Sequence, residues 1–536
     1  TGRTTILFRP PYNADSMPVS LAEARPIALA TDFGYVTVGE SIDPQDWDRP
    51  GTDEIVRRIK QGRDDGGVIL LHDAGGDRSQ TVAALPLILE YLQARGDTVV
   101  PAGKLLGLNR DHTMPHLVEK ARGAPDVIAN AGLLVVHWGE EFLWAFMIVT
   151  SLLTLLRSIA LAILSLSRKP MVSSANFAPS ISVLIAAFNE EKVIGATLRS
   201  VLKTDYRGPI EVIVVDDGSA DATAARAEAI RDPRIRVLRQ SNRGKSAALT
   251  RGLESATNGI VVFLDADTQF QSDTLRLLVQ PLADSRVGAV SGHARVGNLR
   301  TWVTRFQSLE YICGFNLDRR AYDRVNAITV VPGAISAFRR EAINAAGGLD
   351  SDTIAEDTDL TLSLHRLGWR VTYAPDAIAW TEAPETIRSF AKQRFRWAFG
   401  TMQCLWKHRD LILNPRFGAL GCFSLPSIVL FQILLVAAIP VVDFLLILSL
   451  LSGAGLPFVV YFLAFLVCDL ALALLACWIE GEPLGRAALI IPMRFIYRPL
   501  LSYVVWRAIV QMLRGAWVGW GKLERKGTVE MEALKS

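Results

Sequence analysis

The sequence predicts an α/β fold: a doubly wound, mostly parallel sheet bracketed by transmembrane helices, with a separate α/β unit ahead of them. Three observations predict it. Strand-length apolar runs alternate with helix-length segments over residues 178–400, as expected of parallel strands joined by helical crossovers. Long apolar stretches flank that region, and stretches of such length cross a bilayer. The first 130 residues have ordinary α/β patterning. Of the 536 residues, 50% are hydrophobic and 21% charged, with a mean hydropathy of +0.26. The chain is thus too apolar for disorder and unusually apolar for a soluble protein, and its length suggests three or four units. A formal charge of +3 argues against a general nucleic-acid binder. Cys313, Cys404, Cys422, Cys468 and Cys477 show no CxxC spacing, which excludes a zinc knuckle or a disulfide framework. The chain opens on Thr1 in a strand-like run, without a signal peptide, and reads as cut or processed.

In chain order, residues 1–130 form the first unit. Ile6–Phe8 and Val68–Leu71 are expected as strands, Thr52–Gln61 and Gln80–Arg95 as helices, with Gly96 as a helix stop. Residues 142–166 form a transmembrane span whose one charge is Arg157. Glu140 and Glu141 precede it and Arg168 and Lys169 follow, which places the first unit outside the cytoplasm and the next inside. Within 178–400 the expected strands are Ile181–Ala187, Glu211–Val215, Ile235–Leu238 and Ile260–Leu264, with helices at Glu191–Thr204 and Ala220–Arg231. Residues 401–536 hold interface helices and a C-terminal membrane region. Phe423–Leu451 carries Asp443, and Leu456–Ile479 carries Asp469; both read as spans. Ala487–Leu513, with Arg494, Arg498 and Arg507, either spans or lies in the interface. Arg514, Lys522, Arg525 and Lys526 favour a cytoplasmic C-terminus.

In doubly wound sheets, ligands bind at the carboxyl ends of the strands. Asp216-Asp217-Gly218-Ser219 follows the second strand; a carboxylate there suits the N–H of a base such as uracil, or simply caps the next helix. Asp265-Ala266-Asp267 ends the fourth strand. Residues i and i+2 of an extended chain share a side, and two hard oxygen donors suit Mg²⁺ or Mn²⁺ on a diphosphate. Asn242-Arg243-Gly244-Lys245-Ser246 imitates a phosphate loop, but Arg239 stands where Walker A needs glycine, so an ATPase is rejected. Lys245 remains a candidate for a phosphate or ribose. Glu356-Asp357 opens a helical stretch, where the dipole keeps a carboxylate ionised as a general base. Gln393, Arg396 and Trp397 share a helix face. Arg and Gln there suit phosphate oxygens, and Trp a sugar ring or a membrane interface.

Taken together, these acids, the Gln393–Trp397 motif and the spans behind it resemble the processive family-2 glycosyltransferases: the synthases of poly-N-acetylglucosamine, chitin, hyaluronan and cellulose. The resemblance covers about residues 178–530, including Val331–Arg339 and Gly519–Val529, and is nearest the poly-N-acetylglucosamine branch. It implies a GT-A fold and an inverting, membrane-embedded enzyme that polymerises a β-linked N-acetylhexosamine from a UDP-sugar, most simply UDP-N-acetylglucosamine, and passes it across the plasma membrane. Asp217, with Asp216, Asn189, Glu190 and Lys245, would bind the donor. Asp265 and Asp267 would hold the metal, Mg²⁺ or Mn²⁺. Asp357, beside Glu356, would be the base. Gln393 and Arg396 would meet the diphosphate, and Trp397 would seat the acceptor. Implied partners are the UDP-sugar, the growing polysaccharide, the bilayer and subunits for export. The family usually has Thr before the Glu-Asp pair, and here it is Ala355. The alternatives are a transferase adding one sugar to a lipid carrier and a non-catalytic export scaffold.

In the first unit Arg9-Pro10-Pro11-Tyr12, Asp43-Pro44-Gln45-Asp46-Trp47 and Leu70-Leu71-His72-Asp73 follow one another. They resemble the later motifs of NodB-like polysaccharide deacetylases, which have a distorted (β/α) barrel. His72 would match the catalytic acid and Arg9 the residue that orients the base. The earlier motifs, which supply metal ligands, do not precede Arg9 in this sequence, so an inactive partial barrel is expected. His112 and His116 imitate an HxxxH pair but follow the His72 motif, and Pro115 opposes a regular helix there. His137, His293, His365 and His408 read as structural.

Overall fold

The computed structural model describes residues 3–10, 21–74, 76–116, 124–167, 177–350, 352–451, 456–515 and 525–529. Expectations placed on Pro11, Tyr12, Arg168, Lys169, Lys522 and residues 519–524 lie outside these. The chain divides into two compact units, Thr1–Phe142 and Leu143–Ser536.

In the first unit, β1 (Leu7–Phe8) pairs in parallel with β2 (Val36–Thr37). The helices Thr52–Gly62 and Ser79–Ala94 bury Ile55, Ile59, Ala84 and Ile88 against each other; each pair lies four residues apart, on one helix face. Gly96 ends the second helix at φ +83°. The strand expected at Val68–Leu71 reduces to one bridge, Ile42 to Ile69. The ladder stops because the next available donor, the His72 amide, turns to the Asp46 carboxylate at 2.9 Å. The span expected from Phe142 is the end of a longer helix, Ala124–Leu166.

The second unit is built on an eight-stranded sheet in the order β5-β4-β3-β6-β9-β8-β10-β7. Its strands are β3 (Ile181–Ala187), β4 (Ile210–Asp216), β5 (Ile235–Arg239), β6 (Ile260–Asp265), β7 (Gln269–Phe270), β8 (Val287–Val296), β9 (Ser336–Arg339) and β10 (Arg370–Thr381). The β5-β4-β3-β6 block and the β8-β10 pair are parallel, whereas β9 and β7 run antiparallel to their neighbours. Both faces are covered. Val183 and Ile185 pack with Ile194 and Leu198 on one side, and Leu184 packs with Leu249 and Phe263 on the other. Burial on both faces explains why β3, β4 and β6 read as unbroken apolar runs rather than alternating ones.

Two expected helices are shorter than their sequence spans, at Ile194–Leu202 and Thr223–Glu228. The loops that precede them hydrogen-bond to each other. Glu190 N donates to Thr223 Oγ1 and Ala220 N to Asn189 Oδ1, so these residues are held as a loop pair instead of as first helical turns.

Among the described residues three helices are long and apolar enough to cross a membrane: Trp144–Leu166, Leu420–Phe444 and Val459–Ile479. The third C-terminal stretch is broken into Leu484–Phe495 and Tyr497–Leu513, bent by 52°. The two acids expected inside the membrane are both ion-paired across helices, Asp443 with Arg494 at 3.0 Å and Asp469 with Arg498 at 2.5 Å.

Candidate active site

Sheet topology decides what meets. At one edge of the sheet lie the carboxyl ends of β3, β4 and β6, with Ala187 level with Asp216 and Ala186 level with Asp265. Because β9 runs the other way, its first residue, Ser336, pairs with Phe263 and brings the preceding Pro332–Ala334 turn to the same edge. There a cavity of about 800 Å³ opens. Glu190, Asp217, Lys245, Asp265 and Asp267 line it from the strand ends, Glu356 and Asp357 from the helix Glu356–Arg366, and Gln393, Arg396 and Trp397 from the helix Ile387–Lys407.

Two expected donor residues are not in that lining. Asp216 is the last residue of β4 and is buried. Neighbours along an extended chain point to opposite sides, so when Asp217 faces the cavity Asp216 cannot. Asn189 instead ties its loop to the next one, its amide donating to Ser219 Oγ at 2.8 Å. Asp217 is also committed. It accepts from Gln240 Nε2 at 2.7 Å, Arg243 N at 2.9 Å and Gly244 N at 2.8 Å. Its carboxylate thereby anchors the Asn242–Ser246 loop and delivers Lys245 to the acids.

Lys245 Nζ lies 2.8 Å from Asp265 and 3.3 Å from Glu356. Burial pushes the Asp265 carboxyl up, but the Lys245 ammonium more than offsets this and holds it below its usual range. Gly333 permits the arrangement, since a Cβ there would stand 2.7 Å from Lys245 Nζ. Asp267 meets Arg525 of the C-terminal segment at 2.9 Å, outside hydrogen-bond geometry. Backbone amides of Lys526 and Gly527 hold that segment on Glu382. Among the described residues Asp357 makes no ion pair, and the Lys245 charge, which lowers its pKa, does not offset its burial. Burial, then the neighbouring Glu356, push it up to about 6. A buried carboxyl that titrates near neutrality is poised to exchange protons.

The Trp397 ring is 36% exposed and partly walled. The Arg394 guanidinium stacks 4.2 Å from its centroid, and Phe315 meets it edge-on at 5.7 Å. Arg394 is paired with Glu310, which also accepts from Tyr497 Oη at 2.6 Å. The helices bearing Asp357 and Trp397 are close: a Cβ on Gly400 would stand 2.7 Å from the Ala355 Cβ, so the alanine that departs from the family pattern sits at their contact. Sequence reading missed Arg525, Glu310 and Arg319, all in the lining.

Other expected residues take separate places. His72 belongs to the first unit, where Nδ1 meets Asp46 Oδ1 at 2.8 Å and Thr81 Oγ1 also donates to Asp46 at 2.8 Å. Arg9 pairs with Glu40. His112 bonds Asn109, and His116 bonds Arg3 at 2.5 Å. In the second unit, His365 donates to Ile328 O and is held down at about 4 by burial. His408 bonds Asp359 at 2.7 Å, and His293 lies 3.1 Å from Glu480.

The fit of a divalent cation rests on the donor set. Asp265 and Asp267 offer hard carboxylate oxygens to one cavity, while no cluster of three protein ligands occurs among the described residues. That set suits Mg²⁺ or Mn²⁺, which binds through one or two carboxylates plus substrate phosphates.

One edge of the sheet thus gathers carboxylates and cations in a single cavity, and residues 178–400 match the family model described as "Glycosyltransferase like family 2". The region is thus similar to the family-2 glycosyltransferases. Among curated proteins, the chain is similar to the poly-beta-1,6-N-acetyl-D-glucosamine synthase of Staphylococcus aureus (strain COL), 34% identical over 244 residues, 45% of this chain and 59% of that one. The Staphylococcus epidermidis synthase of the same name is 34% identical over 231 residues, 42% of this chain and 55% of that one. The chain thus spans little more than half of the relatives it matches. A solved structure, the mannosyltransferase PcManGT from Pyrobaculum calidifontis in complex with GDP-Man and Mn²⁺, is similar at a TM-score of 0.47 and 24% identity, over 69% of this chain and 96% of that one.

Proposed function

We propose that the chain is a membrane-embedded, inverting glycosyltransferase that extends a β-linked N-acetylglucosamine polymer from UDP-N-acetylglucosamine and passes the product into the membrane. One observation carries the reading. The cavity that holds the acids is also lined by Thr150, Gln432 and Tyr461, one residue from each of the three membrane-competent helices. A transferase releasing a small soluble product has no use for such continuity, whereas a growing chain does. The similarity to poly-N-acetylglucosamine synthases supports the choice of sugar.

In this mechanism Lys245, Arg396 and Arg525 bind the donor's diphosphate. Asp265 and Asp267 would hold the divalent cation, which supplies positive charge for the departing diphosphate. Trp397 seats the acceptor sugar by its apolar face. Asp357 takes the proton of the attacking hydroxyl, and the hydroxyl oxygen displaces UDP from the opposite face of the anomeric carbon. Glu356 raises the basicity of Asp357. On this reading the catalytic domain faces the cytoplasm, where UDP-sugars are made. The first unit is read as deacetylase-like on His72, whose Nδ1 is held by Asp46; this leaves Nε2 to carry a proton.

The test is incubation of membranes containing the chain with radiolabelled UDP-N-acetylglucosamine. High-mass label in the polymer fraction is the expected result. Label confined to a single-sugar lipid, or no transfer, overturns the reading.

A further inference from the structure

The charged groups along the cavity are almost all matched. Asp318 pairs with Arg157 at 2.8 Å, Arg394 with Glu310, Asp265 with Lys245 and Asp267 with Arg525. Arg319 breaks the pattern. It lies on the short helix Leu317–Asp323, is only 8% exposed and lines the cavity with Asp357 and Trp397. Among the described residues its N–H groups meet no hydrogen-bond or ion-pair partner, and its Nε is fully buried. Phe315 lies 5.9 Å from its guanidinium carbon, and the Asp357 and Asp318 carboxylates act on it from beyond ion-pair distance.

Leaving a guanidinium buried and unmatched destabilises a fold. A site that keeps one has a ligand to satisfy it, and position selects the ligand. The donor end already holds Lys245 and Arg525 on its own carboxylates. Arg319 stands instead on the aromatic side, where Phe315 links it to Trp397 at 5.7 Å. The oxygens that reach an aromatic wall beside a general base are those of a sugar: hydroxyls and the carbonyl of an N-acetyl group. Arginine's planar fork of donors matches two such lone pairs at once.

We infer that Arg319 is an acceptor-binding residue, donating to the oxygen substituents of the sugar seated against Trp397 and Phe315, and that it sets affinity for the polymer end rather than for the nucleotide. This rests on the transferase reading above, and the experiment separates the two. The full chain in nanodiscs is supplied with UDP-N-acetylglucosamine and short N-acetylglucosamine oligosaccharides, and UDP binding is measured by calorimetry. In Arg319→Met the acceptor KM rises at least tenfold and UDP affinity is unchanged. The melting temperature without substrate holds or rises, because an unmatched charge has been removed. Arg319→Lys, which keeps the charge but loses the fork, gives an intermediate acceptor KM. An unchanged acceptor KM overturns the inference. So does a loss of UDP affinity with a normal melt, which assigns Arg319 to the diphosphate, or a lowered melting temperature, which assigns it to structure. If the wild-type chain transfers no sugar, the transferase reading itself fails and this inference falls with it.

Discussion

The two ends of the cavity are built on opposite principles. At the donor end each metal-type carboxylate already has a cation, Asp265 from Lys245 and Asp267 from Arg525. Without ligand that end is electrostatically closed on itself, and binding is an exchange of partners. At the acceptor end two groups stand outside the ion pairs: Asp357 is raised to about 6, Arg319 is buried with no hydrogen-bond or ion-pair partner among the described residues, and the walls are rings. On the proposed reading, the difference teaches that donor recognition is governed by charge exchange, and acceptor recognition and proton transfer by burial.

The largest effect that tests this division is at Asp357. Asp357→Asn keeps the shape and removes the proposed base, so turnover is expected to fall by about 10³-fold while UDP affinity is unchanged. Steady-state transfer and UDP calorimetry on the same preparation check both halves; retained turnover moves the base elsewhere. Next is the donor end. Chelation of divalent cations abolishes transfer, and Mg²⁺ or Mn²⁺ restores it. Asp267→Asn leaves Arg525 without its ion pair, so restoration by metal weakens by roughly tenfold or more. An equal metal response in wild type and variant breaks the claim that this end works by exchange. Third is Trp397→Ala, which removes the platform between Arg394 and the acceptor. Stacking of this kind contributes about 0.5–1.5 kcal/mol, so the acceptor KM rises several-fold to about tenfold with the UDP KM unmoved, as measured in oligosaccharide-primed assays.

Legibility did not follow the two ends, for a physical reason: Asp265 and Asp267 at one end and Asp357 and Trp397 at the other carry local patterns, whereas Arg525 and Arg319 do not. Asp265 ends β6 and Asp267 lies in the turn just beyond it, so the readable signal is a pair of carboxylates at the carboxyl end of a strand, where such sheets bind ligands. Strand alternation separates Asp216, buried at the end of β4, from Asp217, so only the second of the pair lines the cavity. Asn189 resembles a site residue because it sits at a strand end, but its left-handed backbone, φ +53°, turns it to cap the neighbouring loop. Arg319 had no signal of this kind. Between Glu310 and Leu317 the chain winds as a π-helix, Tyr311–Asn316. The wider turn shifts which residues face the cavity, and helical periodicity cannot anticipate it. Arg525 was read only as a topological charge. Its role depends on Glu382, some 140 positions earlier, holding the tail in place, a long-range contact with no local pattern.

The smallest expected effect is also the most specific to the acceptor end. A general base works deprotonated, so a raised Asp357 pKa means that kcat/KM falls as pH drops through about 6. Burial is the first cause of the rise and the Glu356 carboxylate the second. Glu356→Gln removes the second and leaves the first. The acid limb of the profile therefore moves down by up to about one pH unit, toward but not reaching the ordinary carboxylate range. The variant also takes a carboxylate from Lys245, while Asp265 remains 2.8 Å from that ammonium, so the donor end keeps its matched pair and UDP affinity stays near wild type. A limb that does not move shows that burial alone sets the base. A limb that moves up instead shows that loss of the Glu356 contact draws Lys245 away from the acids, and the two ends are then coupled through that one lysine.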